Sequence, residues 1–273
     1  MSLNDFELKR KKHFPIYVTF LVISMVIILL AIILLIFLDL KLLWWQFLLA
    51  SFGSIFLIFL FIFLADYVEK TYFKKYGSLF QEKIIDPVIK QVFQDSLISD
   101  TCELDLSSVK LVGKSHKYQV LNEINTKDFQ IYEISMLKDF RFRGFIVRKE
   151  VKNFNDSFIM TNYNYYFKPK IREFKIKTGI NQFDNKYLLY SNDYNYQMPE
   201  SLANNFLKKL INFKHIGVMV EDNVAYFVLG IRSSFSAEIN LNLPLIDPIN
   251  NDYVSKVRQF LLKLKAIGEF KFD

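Results

Sequence analysis

The side chains with chemical reactivity are few in this chain, and they are widely separated. Its three histidines are His13, His116 and His215, and its one cysteine is Cys102. A zinc site needs several histidine or cysteine ligands within a few residues of one another, and this spacing is not found. Cys102 paired with His116 would form an activated nucleophile, but a lone cysteine is by default a free thiol at a domain edge.

Glycine-dependent catalytic motifs are also missing from the sequence. The chain has only 8 glycines, and they form no phosphate-binding loop and no Gly-x-Ser-x-Gly nucleophile elbow. Asp184, Asp193 and Asp222 each lie beside an asparagine, where turn formation accounts for them. We therefore predict no metal, no cofactor and no catalytic residues. The alternative is an enzyme that acts on a lipid or a membrane-bound substrate through unrecognised residues.

One stretch combines aromatic and basic side chains. Residues 163–167 hold three tyrosines and a phenylalanine and run directly into a basic segment, and two arginines lie on a predicted neighbouring strand. The basic members are Arg141, Arg143, Lys168, Lys170 and Arg172. Such a surface suits single-stranded nucleic acid or anionic lipid, and its default interpretation is an ordinary strand with exposed side chains. The membrane segments described next favour lipid, so nucleic acid is not an expected partner.

Two long apolar segments organise the rest of the chain. Residues 14–38 and 42–65 contain no charged side chain, and only residues 39–41 separate them. At about 1.5 Å of rise per residue, each segment can cross a hydrocarbon core of about 30 Å as a helix. A cleaved signal peptide is the alternative for the first segment, but the segment is too long and no cleavage site precedes the turn. We predict a transmembrane helical hairpin over residues 14–65.

Charges beside the two segments predict the orientation of the hairpin. Residues 9–12 are all basic, and Lys70, Lys74 and Lys75 follow the second segment, whereas the turn holds only Lys41. By the positive-inside rule, both termini are expected in the cytoplasm, with the hairpin in the inner membrane. Neither segment contains an ionisable residue, which argues against a transporter.

Small residues mark one face of the second apolar segment. These residues are Ala50, Gly53 and Ser54, and their spacing lets another helix approach closely. The partner helix is either the first segment or a second copy of the chain. The default interpretation is that this face packs the hairpin itself.

The remaining chain predicts an α+β domain with a mostly antiparallel sheet and flanking helices. We divide the sequence into a basic N-terminus (1–13), the hairpin (14–65), a helical stalk (66–98) and a cytoplasmic domain (99–273). Asp86 and Pro87 together predict a helix start. Alternating or continuous apolar residues predict strands over 130–136, 140–147, 187–190, 217–220, 224–231 and 235–243. Helical spacing predicts helices over 199–213 and from Asp252 onward, and Gly144 marks a bulge or a close backbone approach.

The order of these features along the chain can be compared with that of known membrane proteins. After the two segments come residues 142–147 (FRGFIV), 187–193 (YLLYSND), a helix near Pro199, a strand pair over 218–229, and Phe235 at the start of an extended segment. This order resembles an uncharacterised family of bacterial two-span membrane proteins, domain-of-unknown-function family 3137. The resemblance covers most of residues 66–273. It implies an inner-membrane protein with a cytoplasmic domain, and it implies no catalytic residues.

The functional expectation is a non-enzymatic binding or assembly module held at the inner leaflet. Its expected partners are the lipid bilayer and a protein, with a second copy of the chain as a further candidate. The alternatives are the enzyme mentioned above and an anionic-lipid-sensing surface on the five basic residues. The lone cysteine excludes an intrachain disulfide framework.

Overall fold

A computed structural model of the chain forms two compact units, Met1–Ile85 with Leu241–Val254, and Asp86–Asn240 with Ser255–Asp273. The described residues are 3–37, 44–68, 75–94, 96–99, 109–112, 118–136, 142–152, 154, 156–163, 173–210, 213, 215–232 and 251–272. The strand predicted over 235–243 lies outside them.

The first unit contains two long apolar helices, α1 (Leu3–Phe37) and α2 (Trp44–Val68), which pack on each other. The ring centroids of Phe20 and Phe61 lie 6.2 Å apart. Phe20 is seventeen residues before the end of α1, and Phe61 is seventeen residues after the start of α2. Because these positions are equally far from the connection, the two helices run side by side in opposite directions.

Both helices expose apolar side chains. On α2, the side chains of Phe52, Phe59 and Phe63 are 67%, 68% and 65% exposed. By length and composition, Asn4–Leu30 of α1 could cross a membrane, and only 6% of its most apolar window is buried. The described apolar stretch of α2, Ile55–Tyr67, is shorter. The described residues thus contain one N-terminal helix of membrane-spanning length.

The N-terminal end of α1 packs within the first unit. Residues 3–13, predicted as part of a separate basic segment, are the beginning of this helix. Phe6 is buried, and its ring meets that of Phe80 edge to face at 5.5 Å between centroids. Phe80 ends α3 (Lys75–Phe80) and also contacts Tyr253.

A π-helical turn (Gln81–Ile85) follows α3 directly, and α4 (Asp86–Val92) follows the turn. Helix α4 begins at Asp86, but it follows the π-helical turn without a break, so the separate helix start predicted at Asp86 and Pro87 is not found. Pro87 has no amide hydrogen, and its ring crowds the carbonyl four residues earlier in a regular helix. A widened turn at this place accommodates both effects. The range predicted as a helical stalk also contains a strand, β1 (Leu97–Ser99).

The second unit is built on a sheet that has nine strands among the described residues. After β1 these are β2 (Tyr118–Asn125), β3 (Phe129–Met136), β4 (Phe142–Glu150), β5 (Phe158–Asn162), β6 (Phe174–Ile176), β7 (Tyr187–Ser191), β8 (Ile216–Glu221) and β9 (Val224–Arg232). Their order is β1-β2-β3-β4-β9-β8-β5-β7-β6, and all the neighbouring pairs are antiparallel. The predicted α+β fold with a mostly antiparallel sheet is confirmed.

The position of the sheet's irregularity differs from the prediction. Gly144 pairs with Ile134 on β3 and with Gly230 on β9, and the register continues on both sides. Of the two alternatives predicted at Gly144, the bulge is therefore wrong, because the ladder is uninterrupted there, and the close backbone approach stays a prediction. The register shifts instead between Val120 and Asn122 on β2.

The turn between β8 and β9 is the two-residue hairpin that the sequence predicts. Asp222 and Asn223 have φ angles of 51° and 60°. Two successive residues with positive φ define a type I′ turn, whose twist matches that of the flanking strands. Aspartate and asparagine tolerate this conformation better than other residues with a Cβ atom.

One face of the sheet is covered by helices. Helix α6 (Glu200–Leu210) buries Leu202, Phe206 and Leu210, and its Lys208 and Lys209 point to solvent as predicted. Helix α7 (Asn251–Gly268) buries four residues at helical spacing on its inner side. These residues are Val257, Leu261, Leu264 and Ile267. A short helix, α5 (Asn181–Asp184), precedes β7.

The opposite face of the sheet is covered by the turn at residues 109–112. Val109, Leu111 and Val112 are buried against side chains that alternate along the strands. The strand residues of this cluster are Tyr132, Ile134, Ile146, Ile159, Met219 and Val228. This packing holds Lys110, between two buried residues of the turn, over the ends of β6 and β8.

Candidate functional site

A surface pocket lies beside the turn at residues 109–112. Its floor contains Ile159 and Met219, and its polar wall contains Lys110, Glu173 and Glu221. Its volume is about 200 Å³, open solvent included. Pockets that bury small organic ligands usually enclose about 300–1,000 Å³. This pocket is therefore too small for a substrate of that size.

The polar wall of the pocket is a three-residue ion-pair cluster. The Nζ atom of Lys110 donates hydrogen bonds to Glu173 Oε1 at 3.0 Å and to Glu221 Oε1 at 2.7 Å. Glu173 immediately precedes β6, and Glu221 ends β8. One lysine thus joins the turn to two strands that are far apart in the sequence. The cluster attaches this turn to the sheet.

The titration of Lys110 argues against an acid–base role. Partial burial lowers the pKa of this lysine, but the hydrogen bonds and charges of Glu221 and Glu173 outweigh that effect, so its pKa lies above the ordinary value. For Tyr187, burial of the hydroxyl raises the pKa to about 12. A general acid or base works best with a pKa near neutral pH. Because the pKa values of Lys110 and Tyr187 lie far above neutral pH, neither side chain is suited to general acid–base catalysis.

Replacing Lys110 with methionine is expected to lower the free energy of unfolding of the second unit by about 1–2 kcal/mol, because two carboxylates lose their shared cation. Urea titration of the full chain in detergent micelles, followed by circular dichroism, measures this change. The matched control is Lys186→Met, at an exposed lysine before β7 that belongs to no ion pair among those described. Equal unfolding midpoints for the two variants would contradict a stabilising role for the cluster.

A second polar pair lies under the helical layer. Asn122 Nδ2 donates to Glu133 Oε2 at 2.7 Å, and each residue is only 2% exposed. These residues face each other across β2 and β3, directly after the register shift. The sequence analysis missed them, and the available signal was a glutamate between the apolar residues Tyr132 and Ile134. Because no solvent reaches the pair, it is not accessible to a ligand. Its role is to fix the register between β2 and β3.

Of the three aspartates interpreted as turn residues, Asp193 and Asp222 lie in turns, whereas Asp184 ends the short helix α5. Asp184 Oδ1 accepts hydrogen bonds from the amide and the hydroxyl of Thr178, and Oδ2 accepts one from the Gly179 amide. Asp193 Oδ1 accepts from the Asn195 amide. Asp222 occupies the type I′ turn. The carboxylates of Asp184 and Asp193 are therefore accounted for by local hydrogen bonds.

Of the predicted basic patch, only Arg143 lies among the described residues. Arg141, Lys168, Lys170 and Arg172 lie outside the described residues. Arg143 lies on β4, paired with Ser135 on β3 and with Ile231 on β9. Tyr163 is exposed, and its hydroxyl donates to the carbonyl of Asp184 at 2.9 Å. The patch stays a prediction.

The predicted small-residue face lies on α2. Ala50, Gly53 and Ser54 all belong to this helix. Gly53 is exposed, and a Cβ atom added there would meet nothing within 4 Å. Gly53 therefore makes no close helix contact within the described part of the chain. A packing role for Ala50 and Ser54 stays a prediction.

Only two of the four reactive side chains discussed above lie among the described residues. Cys102 and His116 lie outside the described residues, whereas His13 is on α1 and His215 precedes β8. Among the residues that the structure describes, no group of three or more histidine, cysteine, aspartate or glutamate side chains is placed to hold a metal ion. Comparison with known proteins adds no candidate, since no family model, curated protein or solved structure matches this chain.

Proposed function

We propose that the chain is a membrane-anchored binding or assembly module. In this proposal α1 and α2 form a two-span hairpin in the inner membrane, both termini are cytoplasmic, and the α+β unit meets its partners at the inner leaflet. The observation that carries the proposal is the antiparallel pair of helices with exposed apolar side chains. In water such an apolar surface would cause aggregation, whereas in a bilayer the same side chains would contact lipid acyl chains.

Three further observations support the anchor. The apolar window of α1 is 6% buried, and the core helix of a water-soluble protein would be mostly buried. The exposed phenylalanines of α2 recur at helical spacing on one side, where they would face acyl chains. In the sequence, the basic residues that the positive-inside rule places in the cytoplasm lie before the first apolar segment and after the second.

A binding role follows from what the second unit offers. Its described pocket is too small for a substrate, and its ion-pair cluster holds structure together. A tether keeps a weakly binding surface at millimolar effective concentration, so that modest contacts become long-lived. A binding or assembly module needs only a weakly binding surface of this kind and no catalytic pocket.

The anchor is tested by extraction and by labelling of the full chain in bacterial cells. We expect the protein to remain in the membrane fraction after alkaline carbonate washing. An impermeant thiol reagent should modify Cys102 only after the cells are permeabilised. A Leu40→Cys variant in a Cys102→Ser background should be modified in intact cells. Release by carbonate, or labelling of Cys102 in intact cells, would contradict the anchor or its orientation.

The binding role is tested separately. Proteins that co-purify with the full chain from detergent-solubilised membranes are compared with those that co-purify with a variant lacking residues 1–65. Circular dichroism of the truncated variant must first show that the sheet is retained. We expect a partner that is recovered with the full chain and lost with the variant. Identical partner sets would show that the tether does not matter for binding.

A further inference from the structure

The two edges of the sheet differ in their charged side chains. Strand β6 lies at one edge and β1 at the other, and no strand among the described residues pairs with the outer side of either. Lys175 in β6 and Lys177 directly after it are both exposed. Strand β1 is Leu-Ile-Ser and has no charged residue. Because lysines on an edge strand hinder its pairing with a further strand, the β6 edge is protected in this way and the β1 edge is not.

The β1 edge also exposes an aliphatic side chain. Leu97 is 74% exposed, and it is the most exposed of the large apolar side chains described in the second unit. Ile98 and Ser99 are half-buried, and Ile98 pairs with the buried Ile124 on β2. An uncharged edge strand with an exposed apolar side chain is a typical place for a further strand to be added to a sheet.

The residues of β1 are compatible with antiparallel pairing to the same strand of a second copy. With Ile98 on a twofold axis, this residue lies opposite the same isoleucine of the second copy, and Leu97 lies opposite Ser99. Residues that pair directly have their side chains on the same face of a sheet, so the helical layers of both copies would lie on one side. Two β-branched side chains that face each other across neighbouring strands stabilise such a pair.

The distribution of charge favours self-pairing at β1 and opposes it at β6. No charged residue lies within β1. Asp95 and Asp100 flank the strand in the sequence, and this register places neither of them opposite another carboxylate. At β6 the corresponding arrangement, centred on Lys175, would place this lysine opposite itself. Like charges directly opposite each other destabilise a strand pair.

We propose that the outer edge of β1 pairs with β1 of a second copy of the chain, so that two sheets join into one antiparallel sheet across a twofold axis. The inference rests on the proposed function and names the partner of the assembly module. Three residue pairs bury far less than the roughly 1,000 Å² of a stable interface, so the contact is weak in solution. The anchor confines the copies to one membrane and raises their effective concentration, which makes a weak contact sufficient.

The test is disulfide cross-linking of the full chain reconstituted into phosphatidylcholine vesicles. Ile98→Cys in a Cys102→Ser background places two thiols opposite each other across the twofold axis. Directly opposite residues of antiparallel strands have Cα atoms about 4.5–5.5 Å apart, which is within the range that a disulfide spans. Copper phenanthroline serves as the oxidant, and non-reducing electrophoresis measures the dimer. The matched control is Lys175→Cys in the same background, at the centre of the β6 edge.

We expect a dimer with Ile98→Cys that a reductant reverses, and none with Lys175→Cys. Chains with Leu97→Cys mixed with chains with Ser99→Cys should also cross-link, because these positions lie opposite each other. Adding Leu97→Lys to the Ile98→Cys chain should slow cross-linking by about fivefold, whereas the uncharged Leu97→Gln should slow it less. Equal cross-linking at residues 98 and 175, or no effect of Leu97→Lys, would overturn the proposal.

Failure of the edge contact and failure of the anchor can be told apart in the same samples. If the chain floats with the vesicles and circular dichroism shows an intact sheet, but residue 98 does not cross-link, the pairing of β1 is refuted and the anchor stands. If the chain does not float, the anchor is refuted, and membrane-dependent pairing is refuted with it. In bacterial membranes, a cross-linked product whose mass is not twice that of the chain would identify another protein at this edge and would overturn the second-copy proposal.

Discussion

Replacing Phe206 with alanine is expected to lower the free energy of unfolding of the second unit by about 3–5 kcal/mol. Phe206 is fully buried on α6 and is surrounded by other aromatic rings. It stacks on Phe270 at 4.7 Å between centroids and meets Phe158 and Phe272 edge to face. Removing its ring leaves a cavity that rigid neighbouring rings fill poorly, so the loss is near the upper end for a core substitution.

The change is measured by urea titration of the full chain in detergent micelles. Phe206→Leu should cost clearly less, because it keeps apolar volume and loses mainly the ring contacts. Asn204→Ala is the control on the exposed side of the same helix, with an expected change within about 0.5 kcal/mol. A loss for Phe206→Ala no larger than that for Asn204→Ala would show that the aromatic cluster does not hold the helix to the sheet.

Replacing Gly268 with alanine should lower the free energy of unfolding of the second unit by about 2–3 kcal/mol through overpacking. Gly268 is the last residue of α7 and is buried. A Cβ atom there would lie 2.5 Å from Phe129 Cδ2 and 2.6 Å from both Cε2 and Cγ. The ring of Phe129 is itself packed edge to face on Phe93 at 6.1 Å, so it cannot easily move away.

A double-mutant cycle with Phe129→Ala separates this clash from other effects, because alanine lacks all three contacting atoms. If the ring is the obstacle, Gly268→Ala should cost at least about 1 kcal/mol less in the Phe129→Ala background than in the original chain. The matched control is Gly53→Ala on α2, where the added methyl group meets open space. An equal cost for Gly268→Ala in both backgrounds would assign the loss to something other than Phe129.

The two predictions concern opposite requirements of one core. Around Phe206 the core needs a large aromatic side chain, whereas position 268 at the end of α7 must lack a side chain because the ring of Phe129 fills the space. Both contacts hold α7 and the C-terminal residues against the sheet, and Lys149 adds a hydrogen bond to the Phe270 carbonyl at 2.7 Å.

Local patterns in the sequence determined many of the elements. Alternation predicted β3 and β4, helical spacing predicted α6 and α7, and Asp222-Asn223 predicted the hairpin between β8 and β9. These patterns work because strand and helix periodicity, and turn conformations, depend on neighbours within a few residues. The two apolar segments likewise predicted the positions of α1 and α2.

Tertiary structure alone decided which elements meet. Strand β9 lies between β4 and β8, and β5 joins β8 to β7, an order that no local pattern contains. Lys110 meets partners that are 63 and 111 residues away, and Gly268 faces Phe129. Such contacts depend on complementary shape and charge between distant segments, which come together only when the sheet closes its core. For that reason the sequence determined the character of each element, and the folded chain determined the surfaces on which function depends.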